Sequence, residues 1–103
     1  MTTPLEIELA AHIAERFPQS VPGGSVYGSV DAVMVGSDLH GLALKVVQKN
    51  PLDDLELQQL MDMISGLASS MWAFPLRARP YYARLLLLAT LIFDSSVPDD
   101  FEA

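Results

Sequence analysis

Glu8, His12 and Glu15 stand at i, i+4 and i+7, the spacing that brings three side chains to one face of a helix. A carboxylate–imidazole–carboxylate face is a donor set for a divalent metal. The same three residues need no metal if they are solvated groups opposite the apolar stripe Leu5, Leu9 and Ile13, and the spacing alone favours that plainer reading. A metal site would also require His40 or Asp38 to approach from elsewhere in the chain, so no metal and no other cofactor is expected. Ser25, Ser29 or Ser37 with His40 and Asp31 or Asp38 supply the residue types of a hydrolytic triad. No G-x-S-x-G elbow accompanies them, and Ser37 reads as a helix cap and Asp31 as a surface charge. The glycines of Gly23-Gly24-Ser25-Val26-Tyr27-Gly28 fit neither a phosphate-binding loop nor a dinucleotide fingerprint, which makes them turn residues first. With no catalytic motif, the chain is expected not to be an enzyme.

Two stretches carry recognition chemistry instead. The segment from Trp72 to Arg84 gathers Trp72, Tyr81 and Tyr82 with Arg77, Arg79 and Arg84, the residue types enriched in binding hot spots. Pro80 marks the start of a helix, which sets these arginines near a positive dipole end and calls for a negative group beside them. That group can be internal, with Trp72 and the tyrosines completing the core and the arginines pairing with Asp53, Asp54 or the acidic C-terminal segment. That internal reading is preferred; otherwise the group is a partner's acidic patch or a small anion. The second stretch is acidic: Asp53, Asp54, Glu56 and Asp62 on the outer face of one helix, with Asp99, Asp100 and Glu102 near the C-terminus. Such a surface can steer a basic protein toward it. Helix starts favour acids in any case, and acidic surfaces keep small proteins soluble.

The chain has 103 residues, with 13 Asp+Glu against 6 Lys+Arg for a formal charge of −7, and 50% of it is apolar. That is ample for a packed core and excludes an intrinsically disordered chain. The absence of cysteine excludes disulfide scaffolds, thiolate metal sites and thiol catalysis. The negative balance opposes binding to nucleic-acid phosphates or anionic lipid, so neither is an expected partner. The N-terminal residues combine no basic region with an apolar one, so no secretory signal is expected. Leu85 to Phe93 is roughly half the ~20 residues of a membrane span. A cytoplasmic setting is therefore expected.

The elements that position these groups are read from periodicity and punctuation. Thr3-Pro4-Leu5-Glu6 is a capping box with proline at the first helical position, and the four-residue recurrence Leu5, Leu9, Ile13, Phe17 predicts a helix over 4–17, stopped by Pro18. Proline and glycine then predict a loop. Val26, Val30, Val33 and Met34 suit a helical face, and no second convincing strand is present to pair with a first, so a helix over 29–49 is preferred to a strand at 25–35. Gly36-Ser37-Asp38 offers a break within it, with Ser37 as a cap. Asn50 as N-cap and Pro51 at the first position predict a helix over 51–72, with a stripe from Leu57 to Met71. Pro75 and Pro80 bracket a short connection, and 80–93 is apolar nearly all round, placing that helix at the centre or in a dimer interface. The expected fold is all-α, a small antiparallel four-helix bundle over 1–94 with an acidic tail at 95–103.

In size and charge the chain resembles the small bacterial immunity proteins, which occlude a toxin's active site. The likeness covers no specific residues, and no functional position is carried over from it. The expected function is that of an acidic protein-binding domain that neutralises a basic toxin or enzyme by direct complex formation. One alternative is a secretion chaperone or adaptor, dimeric through the last helix. Another is a small metal- or anion-binding enzyme using Glu8, His12 and Glu15 or the arginine cluster. A nucleic-acid mimic ranks last, since −7 over 103 residues is modest for that role.

Overall fold

A computed structural model describes residues 3–19, 21–22 and 24–96. The described chain is mostly helical, with four α-helices and one small hairpin: α1 (Pro4–Ala14), β1 (Val26–Tyr27), β2 (Val30–Asp31), α2 (Met34–Val47), α3 (Asp54–Ser70) and α4 (Arg79–Ser96). Short 3₁₀ turns at Met71–Ala73 and Leu76–Ala78 join α3 to α4.

The capping box forms as expected: the Thr3 hydroxyl accepts from the Glu6 amide, and the Glu6 carboxylate accepts from the Thr3 amide. The helix does not reach residue 17. It ends at Ala14, where Glu15 turns extended, because a proline disfavours helical backbone in the residue before it and Pro18 unwinds the preceding turn. Leu5 and Leu9 are consequently buried, whereas Ile13 is 59% exposed.

Residues 25–35 correct the expectation of a helix. Val26 pairs with Asp31 and Tyr27 with Val30 in an antiparallel hairpin whose two-residue turn begins at Gly28, φ +61°. Glycine in the first central position is what a tight II′ hairpin turn demands. The missing partner strand is the segment's own second half, two residues long, which hydrophobic periodicity is too short to reveal. α2 runs without interruption through Gly36-Ser37-Asp38, so Ser37 is not a cap. Asp31 performs that role from outside, its Oδ1 accepting from the amides of Val33 and Met34.

α3 begins at Asp54, three residues later than the punctuation suggests. Asp53, not Asn50, is its N-cap, in a second capping box with Glu56. Asn50 instead ends α2: its amide reaches the Lys45 carbonyl and the Lys49 amide reaches that of Val46, with Lys49 left-handed at φ 65°, a Schellman closure.

α4 is the central element. Tyr82, Leu85, Leu88, Ala89 and Ile92 are all buried, and α1, α2 and α3 each pack against it. It extends three residues past Phe93, so Ser95 and Ser96 of the expected tail are helical, while 97–103 lie outside the described residues. An aromatic column threads the interior. Tyr27 meets Phe74 at 5.0 Å between ring centroids, Phe74 stacks on Tyr82 at 4.0 Å, and Tyr82 meets Tyr81 at 5.0 Å. Among the described residues no buried side-chain nitrogen or oxygen lacks a hydrogen-bond partner, and no helix is long and apolar enough to cross a membrane.

Candidate functional site

The structure divides the Trp72–Arg84 segment into groups with different tasks. Tyr82 is core. Arg79 is a staple, donating to the carbonyls of Phe74 (3.0 Å) and Trp72 (2.7 Å) and so tying together the turns between α3 and α4. Arg84 reaches α1, where it pairs with Glu8 at 3.2 Å and Glu15 at 3.4 Å. For Arg84 the compensating acids are thus internal, from α1 and its C-cap and not Asp53 or Asp54, while the acids of the C-terminal segment lie outside the described residues. Trp72 does not complete the core. It is 75% exposed beside Leu76, 74% exposed, and Arg77 makes no ion pair among the described residues. This tip of two large apolar groups and one cation is what remains of the segment for a partner. Leu76 had no sequence signal beyond its place between two prolines.

The acids divide likewise. Asp53 and Glu56 cap α3, and Glu56 also pairs with Lys45 of α2; that lysine and the Asp53 amide hold its carboxyl below the usual carboxylate range. Asp54 is exposed in the first turn. Asp62 lies further along, accepting a hydrogen bond from Gln58 and lining a groove of about 520 Å³ between α2 and α3. The groove has Ser37, Asp38, Gly41 and Leu42 on one wall and Glu56, Gln59, Asp62 and Met63 on the other. Asp38, Asp62 and Met63 also line a second hollow, which continues to Asp31 and Val30 of the hairpin. α2 and α3 rest on α4 far more than on each other, and this separation opens the groove. Asp38 was not expected on this acidic face: its residue type suggested only a metal ligand or a triad acid, and nothing local shows that α2 lies beside α3.

His12 does not join Glu8 and Glu15 in a metal site, for Arg84 occupies both carboxylates. It points across to His40, with ring centroids 6.3 Å apart, and to Tyr81 at 6.0 Å, in a cleft between α1, α2 and α4 whose walls include Phe17, Val33, Gly36 and Ser37. Burial lowers the His12 pKa and His40 adds to that, against the opposing pull of Glu15 and Glu8. Burial likewise raises Tyr81, with Glu15 adding to it. At neutral pH the cleft therefore presents an uncharged imidazole and an uncharged phenol. Among the described residues no group of three or more His, Asp and Glu side chains is placed to hold a metal ion.

A hydrolytic triad is not assembled. Ser37 and His40 line the histidine cleft, but the Asp31 carboxylate is engaged by backbone amides and Asp38 lines the groove with α3. Ser29 sits against Ser70, whose hydroxyl accepts from its amide at 3.1 Å. Among the described residues, surfaces suited to recognition include the acidic groove, the Trp72 tip and the histidine cleft. Comparison of the chain with protein-family models, curated proteins and solved structures finds no match.

Proposed function

We propose that this chain is a small acidic protein-binding domain, of the immunity or antitoxin kind, that inhibits a basic enzyme by forming a direct complex with it. One observation carries the reading: three of the six cations are engaged within the fold, while acids line an exposed groove between α2 and α3. Arg84 is held by Glu8 and Glu15, Lys45 by Glu56, and Arg79 by two carbonyls, while Asp38, Asp54 and Asp62 stay exposed along α2 and α3. An exposed acidic face raises the association rate of a basic partner, and exposed Trp72 is the residue type that anchors such a complex once formed. The helices read as an antiparallel four-helix bundle opened between α2 and α3, an arrangement that presents both helices to a partner. A homodimer through α4 would have to use its exposed residues, among them Ala83, Arg84, Leu87, Thr90 and Asp94, because Tyr82, Leu85, Leu88, Ala89 and Ile92 are buried.

The test is affinity capture from the native host at low and high salt, followed by assay of the recovered partner. A basic enzyme held one-to-one, inactive in the complex and active after release, supports the reading. A partner whose activity survives complex formation overturns the inhibitor assignment, and an apolar secreted segment in its place transfers the protein to the chaperones.

A further inference from the structure

Among the described glycines in helices, Gly41 alone has open space where a side chain would stand. Gly41 sits in the interior of α2, where glycine weakens a helix relative to alanine. A Cβ added there would meet nothing within 4 Å, in contrast to Gly66 of α3, whose Cβ would come 3.2 Å from the Ser29 hydroxyl. Packing within the chain therefore does not require Gly41. It lies in the wall of the α2–α3 groove, between Asp38 and Leu42, facing open space.

The groove has the dimensions and chemistry of a helix seat. Its residues run from Glu56 to Gly66 along α3, ten helical rises or about 15 Å. One end is closed by the Lys45–Glu56 pair and the other by the hairpin. Leu42, Met63, Val35 and Met34 supply apolar surface, and Asp31, Asp38 and Asp62 supply negative charge with no cation among the lining residues. We propose that the α2–α3 groove docks a basic amphipathic helix of the partner, its apolar stripe on Leu42 and Met63, its lysines or arginines against Asp38 and Asp62, and its backbone approaching α2 closely at Gly41. A glycine where two helices cross is how helices come within close reach of each other, and flexible methionine adapts to the stripe it receives. The inference rests on the protein-binding reading and names its surface.

The probe is a fluorescently labelled helical peptide of about 18 residues with leucine at i, i+3, i+4 and i+7 and lysine elsewhere, beside a counterpart with glutamate for lysine. Full-length protein binds the lysine peptide, with chemical-shift changes centred on α2 and α3, and does not bind the glutamate peptide. D38K/D62K weakens binding at least tenfold. G41W blocks it while leaving the circular dichroism unchanged, and G41A raises the thermal midpoint of the unliganded protein by a few degrees while weakening the peptide. Equal binding of both peptides, or binding indifferent to G41W, overturns the groove. The failures separate: a captured enzyme that binds G41W and D38K/D62K as tightly as the parent leaves the inhibitor reading standing without the groove, and peptide binding in the groove with no inhibited enzyme does the reverse.

Discussion

Tyr82 on α4 donates its phenolic hydrogen to the Ala32 carbonyl at 2.6 Å, across fifty residues of sequence and inside the core. The bond locks the base of the hairpin to the central helix, next to the closing Ala32-to-Ser25 backbone bond. Burial pushes the phenol far above its ordinary pKa, so it is a hydrogen-bond donor at neutral pH. Tyr82→Phe keeps the stack on Phe74 but leaves a carbonyl without its donor. The expected loss is about 1–3 kcal/mol by urea denaturation, with faster amide exchange confined first to the hairpin.

His12 makes stability depend on pH. Its proton affinity in the fold lies below the ordinary histidine value, mainly through burial. Between that ordinary value and the lowered one, the unfolded chain binds a proton that the native chain does not. This contribution is therefore complete above about pH 6.5 and is lost as pH falls through the window. His12→Gln should flatten the fall in denaturation midpoint between about pH 7 and 5. An unchanged slope would show that other groups carry it.

Gly28 is required twice over. Its φ is +61°, and a Cβ there would sit 2.3 Å from the Ser70 hydroxyl oxygen. Gly28→Ala is expected to destabilise by about 2–4 kcal/mol, since backbone strain and the displaced Ser70 add. The opposite change is available at the end of α2, where Lys49 holds the left-handed position at φ 65°. Lys49→Gly should stabilise by about 0.5–1 kcal/mol. Thermal or urea midpoints of the two variants check both signs.

Trp72 and Phe74 are two residues apart and opposite in role, at 75% and 1% exposure. Trp72→Ala should leave stability within about 0.5 kcal/mol, and Phe74→Ala should remove about 3–5 kcal/mol. Trp72 is the chain's single tryptophan, so fluorescence reports it alone. Acrylamide should quench it nearly as well as free indole, and a blue shift on addition of a partner would place that partner over the tip.

The charged tip and groove were partly legible in the residues. Asp54 and Asp62 stand on the exposed acidic face, as the periodicity of α3 indicates, because a helix of that length admits one phase for its apolar stripe. Asp38 lies on a helix that the residues do indicate, but only the packing of α2 and α3 on α4 brings it into one groove with Asp62. Tyr81, Tyr82 and Arg84 could not be sorted in advance. They are near neighbours on one helix, and only the position of α1 decides that Arg84 finds Glu8 and Glu15 while Tyr82 turns inward.

What the sequence determined by itself is local: the capping box at Thr3, four helical segments, an apolar final helix and the sign of the surface charge. These follow from interactions within three or four residues, which neighbours along the chain specify. The tertiary structure decided the rest. The hairpin exists because two dipeptides pair across a glycine turn against α3, a stabilisation that no repeating pattern announces. The histidine cleft and the acidic groove exist because α1, α2 and α3 all pack against α4 and leave spaces beside one another. Contacts between residues far apart in the chain place those surfaces, and such contacts are set by how the helices fill the core together.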